Sequence, residues 1–258
     1  MSRIERVLAT ASAQIDDILA TARIWRSYSD FLIPRSGSFF TVLDRYGKDQ
    51  LKAALKDSHT DSSSLYRGLT IQLNAVFEGY IRSLIGAVID EKCEKVQIYE
   101  ELDERLKTEH LVSSAKVLTY LKSGTVNGIR HDFLATQKNL ISCLSGEEQY
   151  AINKDAFTLL LGNCTPDRLE ALFESVGMQE PFCDTLGESK KLQTWAGETS
   201  KRRVASSARK ELETQLDNRN EIVHGNISRT LTQNDFDMAA SFFSGLIEGL
   251  NKIASKSV

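Results

Sequence analysis

Seven consecutive residues near the end of the chain, Arg219-Asn220-Glu221-Ile222-Val223-His224-Gly225, bring together a permanent cation, a side-chain amide and an imidazole. An arginine grips a phosphoryl group through a planar fork of N–H donors. A histidine titrates near neutrality and can carry a proton in either direction. A fixed cation beside such a group suits the handling of a phosphodiester.

The spacing by itself proves little. With 16 Arg and four His in 258 residues, chance supplies about 0.7 Arg/His pairs at gaps of four to six. A second pair at the same gap exists, Arg105 and His110 in Arg-Leu-Lys-Thr-Glu-His. It lacks the Asn after Arg and the Gly after His, and it lies in a charge-rich segment that reads as a solvated helix. It reads as the chance match. The Arg219 string differs by its context. Val204, Ala208, Leu212, Leu216, Arg219 and Val223 are spaced 4, 4, 4, 3 and 4, the expected inward face of one amphipathic helix. A guanidinium on that face needs partners. On a straight helix Arg219 and His224 stand ~140° apart around the axis, so a distorted last turn, the length of the Arg side chain or a second subunit must bring them together. Gly225 is the expected helix stop.

The elements that must position these residues are mostly helical. Three prolines and short β-branched runs favour helix, and 41% hydrophobic with 26% charged residues is ordinary for a globular protein. A net charge of −3 excludes a uniformly basic nucleic-acid binder, so contact with RNA must be a local patch. Cys93, Cys143, Cys164 and Cys183 form no Cys-x-x-Cys pair, which excludes the usual zinc and redox motifs. No metal or cofactor is expected, no run approaches the ~18 apolar residues of a spanning helix, and a cytoplasmic protein with reduced thiols is expected.

Along the chain, residues 1–26 read as a helix buried through Ile4, Val7, Leu8, Ile15, Ile18 and Leu19. A break follows at Pro34 to Ser38, and residues 58–64 read as a loop. The strongest helix runs from Leu65 to about Glu91 and is apolar on most sides, so it should be central. Asn74 and Glu78 lie one turn apart within it, and a carboxylate there needs a cation, for which Arg219 is the natural candidate. Further helices are expected over Leu102–Leu121, around 131–144, and from Thr165-Pro166-Asp167 to Gly177. A loop around Pro181 to Gly187 should lead into one long helix ending at His224, and Thr232 to Asp235 should open the last helix through a capping box, with Phe236, Ala239, Phe243, Leu246 or Ile247, Leu250 and Ile253 as its face. Trp25 and Trp195 read as core, and His59 and His131 as surface. Lys201-Arg202-Arg203 with Arg209 is a candidate track for an RNA backbone, although such runs are usually solvated faces.

In this order of elements the chain resembles the HEPN superfamily, specifically its RiboL-PSP type. The likeness rests on Arg219-Asn220-x-x-x-His224-Gly225, the closing amphipathic helix, the buried helix with Asn74 and Glu78, and the Thr165–Met178 connector. It covers roughly residues 60–255. It implies an all-α HEPN-like helical bundle with extra N-terminal helices and a central helical insert. One domain is expected, with 1–60 as an extension and 61–258 as the core.

The resemblance further implies a homodimer that cleaves RNA without metal at a composite active site, in a toxin–antitoxin or anti-phage defence role, with an antitoxin or defence-system protein as a possible partner. The chemistry is self-consistent, because RNA carries its own nucleophile, the 2′-OH. His224 would serve as general base or acid, Arg219 would clamp the phosphoryl group, Asn220 would orient the phosphate or the ring, and Glu78, with Asn74, would support them. Products would be a 2′,3′-cyclic phosphate and a 5′-OH. Some relatives carry a tyrosine two residues after the histidine, which an antitoxin modifies; this chain has Asn226, which puts that control in doubt. The alternative is a catalytically silent HEPN module that binds a partner protein or RNA.

Overall fold

A computed structural model of the chain describes residues 1–32, 62–121, 132–146, 149–159, 162–225 and 230–258. The expected break at Pro34 to Ser38, residues 58–61, His59, His131 and Asn226 lie outside the described residues. Among the described residues the fold is all-α. The helices are α1 (Arg3–Leu32), α2 (Ser62–Lys95), α3 (Glu104–Leu121), α4 (Phe133–Leu144), α5 (Lys154–Leu159), α6 (Pro166–Ser175), α7 (Lys190–Ala196), α8 (Lys201–Val223) and α9 (Gln233–Lys256).

Helix α2 is the axis of the bundle. Leu69, Leu73, Phe77, Tyr80, Ile81, Leu84, Ile85, Val88 and Ile89 are all buried, so apolar contacts surround it. α1 and α9 pack along it, and α5 and α8 touch it too. α1 runs antiparallel to α2 and is tied at both ends. At its start the Glu91 carboxylate accepts the Arg3 and Ile4 backbone N–H groups at 3.1 and 3.3 Å, supplying an N-cap from another helix. Further along, Arg26 pairs with Asp237 of α9. Ile4, Ala11, Ile15, Ile18 and Ala22 join the same core as α2 and α9.

α9 opens with the expected capping box: Thr232 Oγ1 accepts from Asp235 N–H, and the Asp235 carboxylate accepts from Thr232 N–H. Its buried face, Phe236, Ala239, Phe243, Leu246, Ile247, Leu250 and Ile253, is the one the spacing predicts. Two glycines let its neighbours come close. A Cβ on Gly245 would stand 2.9 Å from the Leu192 backbone nitrogen, and one on Gly249 would stand 2.6 Å from Leu186 Cδ1.

Four expectations need correction. The single helix expected to end at His224 is broken at Gly197 (φ +60°), which caps α7 and redirects the chain into α8. The supposed loop at 58–64 is helical from Ser62 onward. Val223 is not on the inward face; it is 53% exposed and Ile222 packs on the core instead. Three steps of four rotate a stripe forward by about 120° and two steps of three return it, so Ile222 realigns with Val204 where Val223 does not. His110 is not solvated but fully buried.

Candidate active site

Three segments that are far apart in sequence meet beside the middle of α2. The first is α2 itself, which contributes Glu78 and, one turn on, Arg82. The second is the short connection into α6, Asn163-Cys164-Thr165. The third is the last turn and a half of α8, with Arg219 and Asn220. Asn163 reaches this place because α6, which it precedes, packs against α3 and α8. Pro166 starts α6, Leu169, Leu172 and Phe173 bury its inner face, and its end is held by Lys92 of α2. The Lys92 ammonium donates to the Val176 and Gly177 carbonyls at 2.6 and 3.2 Å, satisfying groups that a helix end leaves open.

The Arg219 guanidinium is half-buried and held by amides. Its Nη1 donates to Asn163 Oδ1 and to Asn220 Oδ1, each at 3.1 Å, and Asn163 Nδ2 donates to Asn220 Oδ1 at 3.4 Å. These three side chains form a closed triangle, which leaves Nε and Nη2 of Arg219 without partners among the described residues. The direct Glu78–Arg219 pairing suggested by sequence is not made; the Asn163 and Asn220 oxygens hold Nη1 instead. Glu78 instead acts through charge. Burial pushes its carboxyl above the usual range, and the nearby Arg219 and Arg82 pull against that. Its Oε1 is buried without a hydrogen-bond partner. Asn74 is buried one turn before Glu78, where its Nδ2 donates to the Thr70 carbonyl at 2.9 Å and its Oδ1 has no partner. It shapes the α2 surface and touches none of the charged groups.

His224 closes α8. Its backbone N–H donates to the Asn220 carbonyl at 2.9 Å, and Gly225 follows at φ +82°, a left-handed value that favours glycine. The imidazole is exposed, and no group among the described residues hydrogen-bonds it. The result is a cation fixed by amides, a half-buried carboxyl group behind it and, at the open end of the same helix, a histidine ring with no partner among the described residues.

The proposed RNA track is dispersed by its acids. Arg209 is ion-paired to Asp167, Glu170 and Glu213 at once. Lys201 pairs with Glu188 at 2.7 Å and Arg203 with Glu198 at 3.2 Å. Only Arg202 of that set is exposed without an ion pair among the described residues.

Sequence reasoning missed Arg82, Asn163 and Cys164. Arg82 carried a signal, since it follows Glu78 at i+4 on the same helix. Asn163 carried none, because only the docking of α6 brings it to Arg219. Cys164 is fully buried, and the loss of water, with the Glu78 charge adding to it, pushes its thiol up to about 12. It is an inert packing group and no nucleophile. Among the described residues no three His, Cys, Asp or Glu side chains cluster as a metal would require, and no helix is long and apolar enough to cross a membrane.

Comparison with known proteins adds one finding. A family model described as RiboL-PSP-HEPN matches residues 46–256, which takes in every site residue above. No curated protein and no solved structure matches the chain.

Proposed function

The chain belongs to the RiboL-PSP-HEPN family, a nuclease-like, RNA-related module, and on that premise we propose that it is an endoribonuclease that needs no metal. One observation carries this reading: among the described residues, Arg219 is held by Asn163 and Asn220 with two of its nitrogens unpaired, and the His224 ring at the end of the same helix has no partner. Nε and Nη2 would bind two oxygens of the scissile phosphate. His224 would take the 2′-OH proton or deliver one to the leaving 5′-oxygen. The buried Glu78 charge would balance Arg219 when no RNA is bound. A homodimer would bring a second His224, so that one ring acts as base and the other as acid. A toxin or anti-phage defence role, with an antitoxin or defence-system partner, fits an activity of this kind.

The direct test is incubation with total RNA in excess chelator, with the termini mapped. Wild type should leave 2′,3′-cyclic phosphate and 5′-OH ends, and His224→Ala should leave the RNA intact. Intact tRNA, ribosomal RNA and messenger RNA at high wild-type concentration would contradict the proposal. They would favour a silent module that binds a partner protein or RNA, which the acid-paired Lys201, Arg203 and Arg209 also favour.

A further inference from the structure

A groove of about 400 Å³ lies between the start of α1 and the middle of α2. Its floor is Ser83, Gly86 and Ala87 of α2, small residues that keep it open. Its walls carry Arg3, Arg6, Arg82 and Lys154 against Asp90 and Asp155, a surplus of two positive charges. The cations differ in how far they are committed. Arg3 pairs with Glu94, and Lys154 pairs with Asp90 at 2.6 Å. Arg6 is exposed and Arg82 half-buried, and neither side chain has a hydrogen bond or ion pair among the described residues.

Arg82 belongs to two places. It lines the groove, and it is close enough to Glu78 and Cys164 to act on both carboxyl and thiol. The two places are neighbours along one helix, since Arg82 follows Glu78 at i+4 on the same face of α2. Along α2, Gly86 is eight residues beyond Glu78, which is about 12 Å at 1.5 Å per residue. That is a reach of a few nucleotides and no more. We propose that this groove holds the RNA backbone flanking the scissile phosphate, with Arg6 and Arg82 as its phosphate contacts.

This assignment rests on the ribonuclease reading and replaces the Lys201–Arg209 track expected from sequence. On that helix every phosphate contact by Lys201, Arg203 or Arg209 must first displace a carboxylate. In the groove, the Arg6 and Arg82 side chains have no carboxylate to displace among the described residues. It also gives α1 a purpose: Glu91 caps its first turn against α2, which fixes where Arg6 stands.

The test uses the full chain and a non-cleavable 2′-O-methyl RNA 12-mer, followed by fluorescence anisotropy at several salt concentrations. Arg6→Glu is compared with Lys138→Glu, the same charge change on the exposed face of α4. Arg6→Glu should weaken binding at least tenfold more than Lys138→Glu, and Arg6→Ala should lower the salt slope by about 0.7, the loss of one phosphate contact on a single strand. Equal effects of Arg6→Glu and Lys138→Glu, with wild type still binding and cleaving RNA, would overturn the groove assignment alone. A wild type that neither binds nor cleaves RNA would overturn the ribonuclease reading, and the groove assignment with it.

Discussion

Two helices of this protein carry Arg and His at the same five-residue gap, and they put them to opposite uses. On α3, Arg105 reaches outward to Glu174 at 3.4 Å with both side chains about two-thirds exposed, while His110 points into the core. Its ring lies parallel to Phe157. Its Nε2 accepts from the Asn153 backbone N–H at 3.1 Å, so the neutral ring carries its proton on Nδ1, which donates to Tyr99 Oη at 3.3 Å. On α8 the arrangement is inverted: the arginine is half-buried and held by amides, and the histidine is exposed, its ring without a hydrogen bond among the described residues. Both pairs have the same five-residue gap. The gap is therefore not the motif. What sets the second pair apart, among the described residues, is a histidine ring with no partner and a guanidinium with unpaired donors.

The largest effect that would break this comparison is on RNA cleavage. His224→Ala should lower the cleavage rate about a thousandfold, about 4 kcal/mol of transition-state stabilisation, with little change in melting temperature. Single-turnover rates and thermal melts check both halves. Arg219→Lys should cost about a hundredfold, because an ammonium held by the Asn163 and Asn220 oxygens has no fork left for the phosphate. If Lys restores full activity, the fork has no role.

His110→Ala should do the reverse. Losing a buried ring and its two hydrogen bonds should cost about 3 kcal/mol of stability, read as a lower urea midpoint. RNA cleavage by whatever fraction stays folded should keep the wild-type rate.

The pH dependence sharpens the contrast. Burial lowers His110 from 6.5 to about 4. Between those values the unfolded chain binds a proton that the folded chain refuses. The contribution is therefore fully present above about pH 6.5 and is lost as pH falls toward 4, by up to about 3 kcal/mol. Denaturation midpoints across pH 4–7 should show this slope in wild type and lose it in His110→Gln.

Smallest is Glu78→Gln. Its Oε1 is buried without a partner and its carboxyl is raised by burial, so removing the charge should leave stability unchanged or raise it by about 1 kcal/mol. A loss of several kcal/mol would mean that Glu78 holds Arg219 directly.

The sequence made some of this legible and hid the rest for identifiable reasons. The centrality of α2, the capping box at Thr232 and the buried face of α9 follow from apolar spacing and cap chemistry, which act within one helix. His110 was misjudged because its buried stripe reads Leu106, His110, Ser114 and Val117, with two polar residues that hydrogen-bond to Asn153 and so break the hydrophobic pattern. The break at Gly197 was missed because an interior glycine in a helical pattern looks tolerable until its φ is known. At the site, Arg219, Asn220 and His224 were visible as one string, whereas Asn163 and Arg82 join them only through the packing of α6 and α2.

One measurement bears most directly on the claim that His224 meets RNA and His110 does not. The chain has four histidines, so their ring proton signals can be followed by NMR while a non-cleavable 2′-O-methyl RNA is added. The account predicts that the His224 ring signal moves on binding and fails to move in Arg219→Ala, while the His110 signal stays in place throughout. RNA that binds to saturation with the His224 ring unperturbed would contradict it.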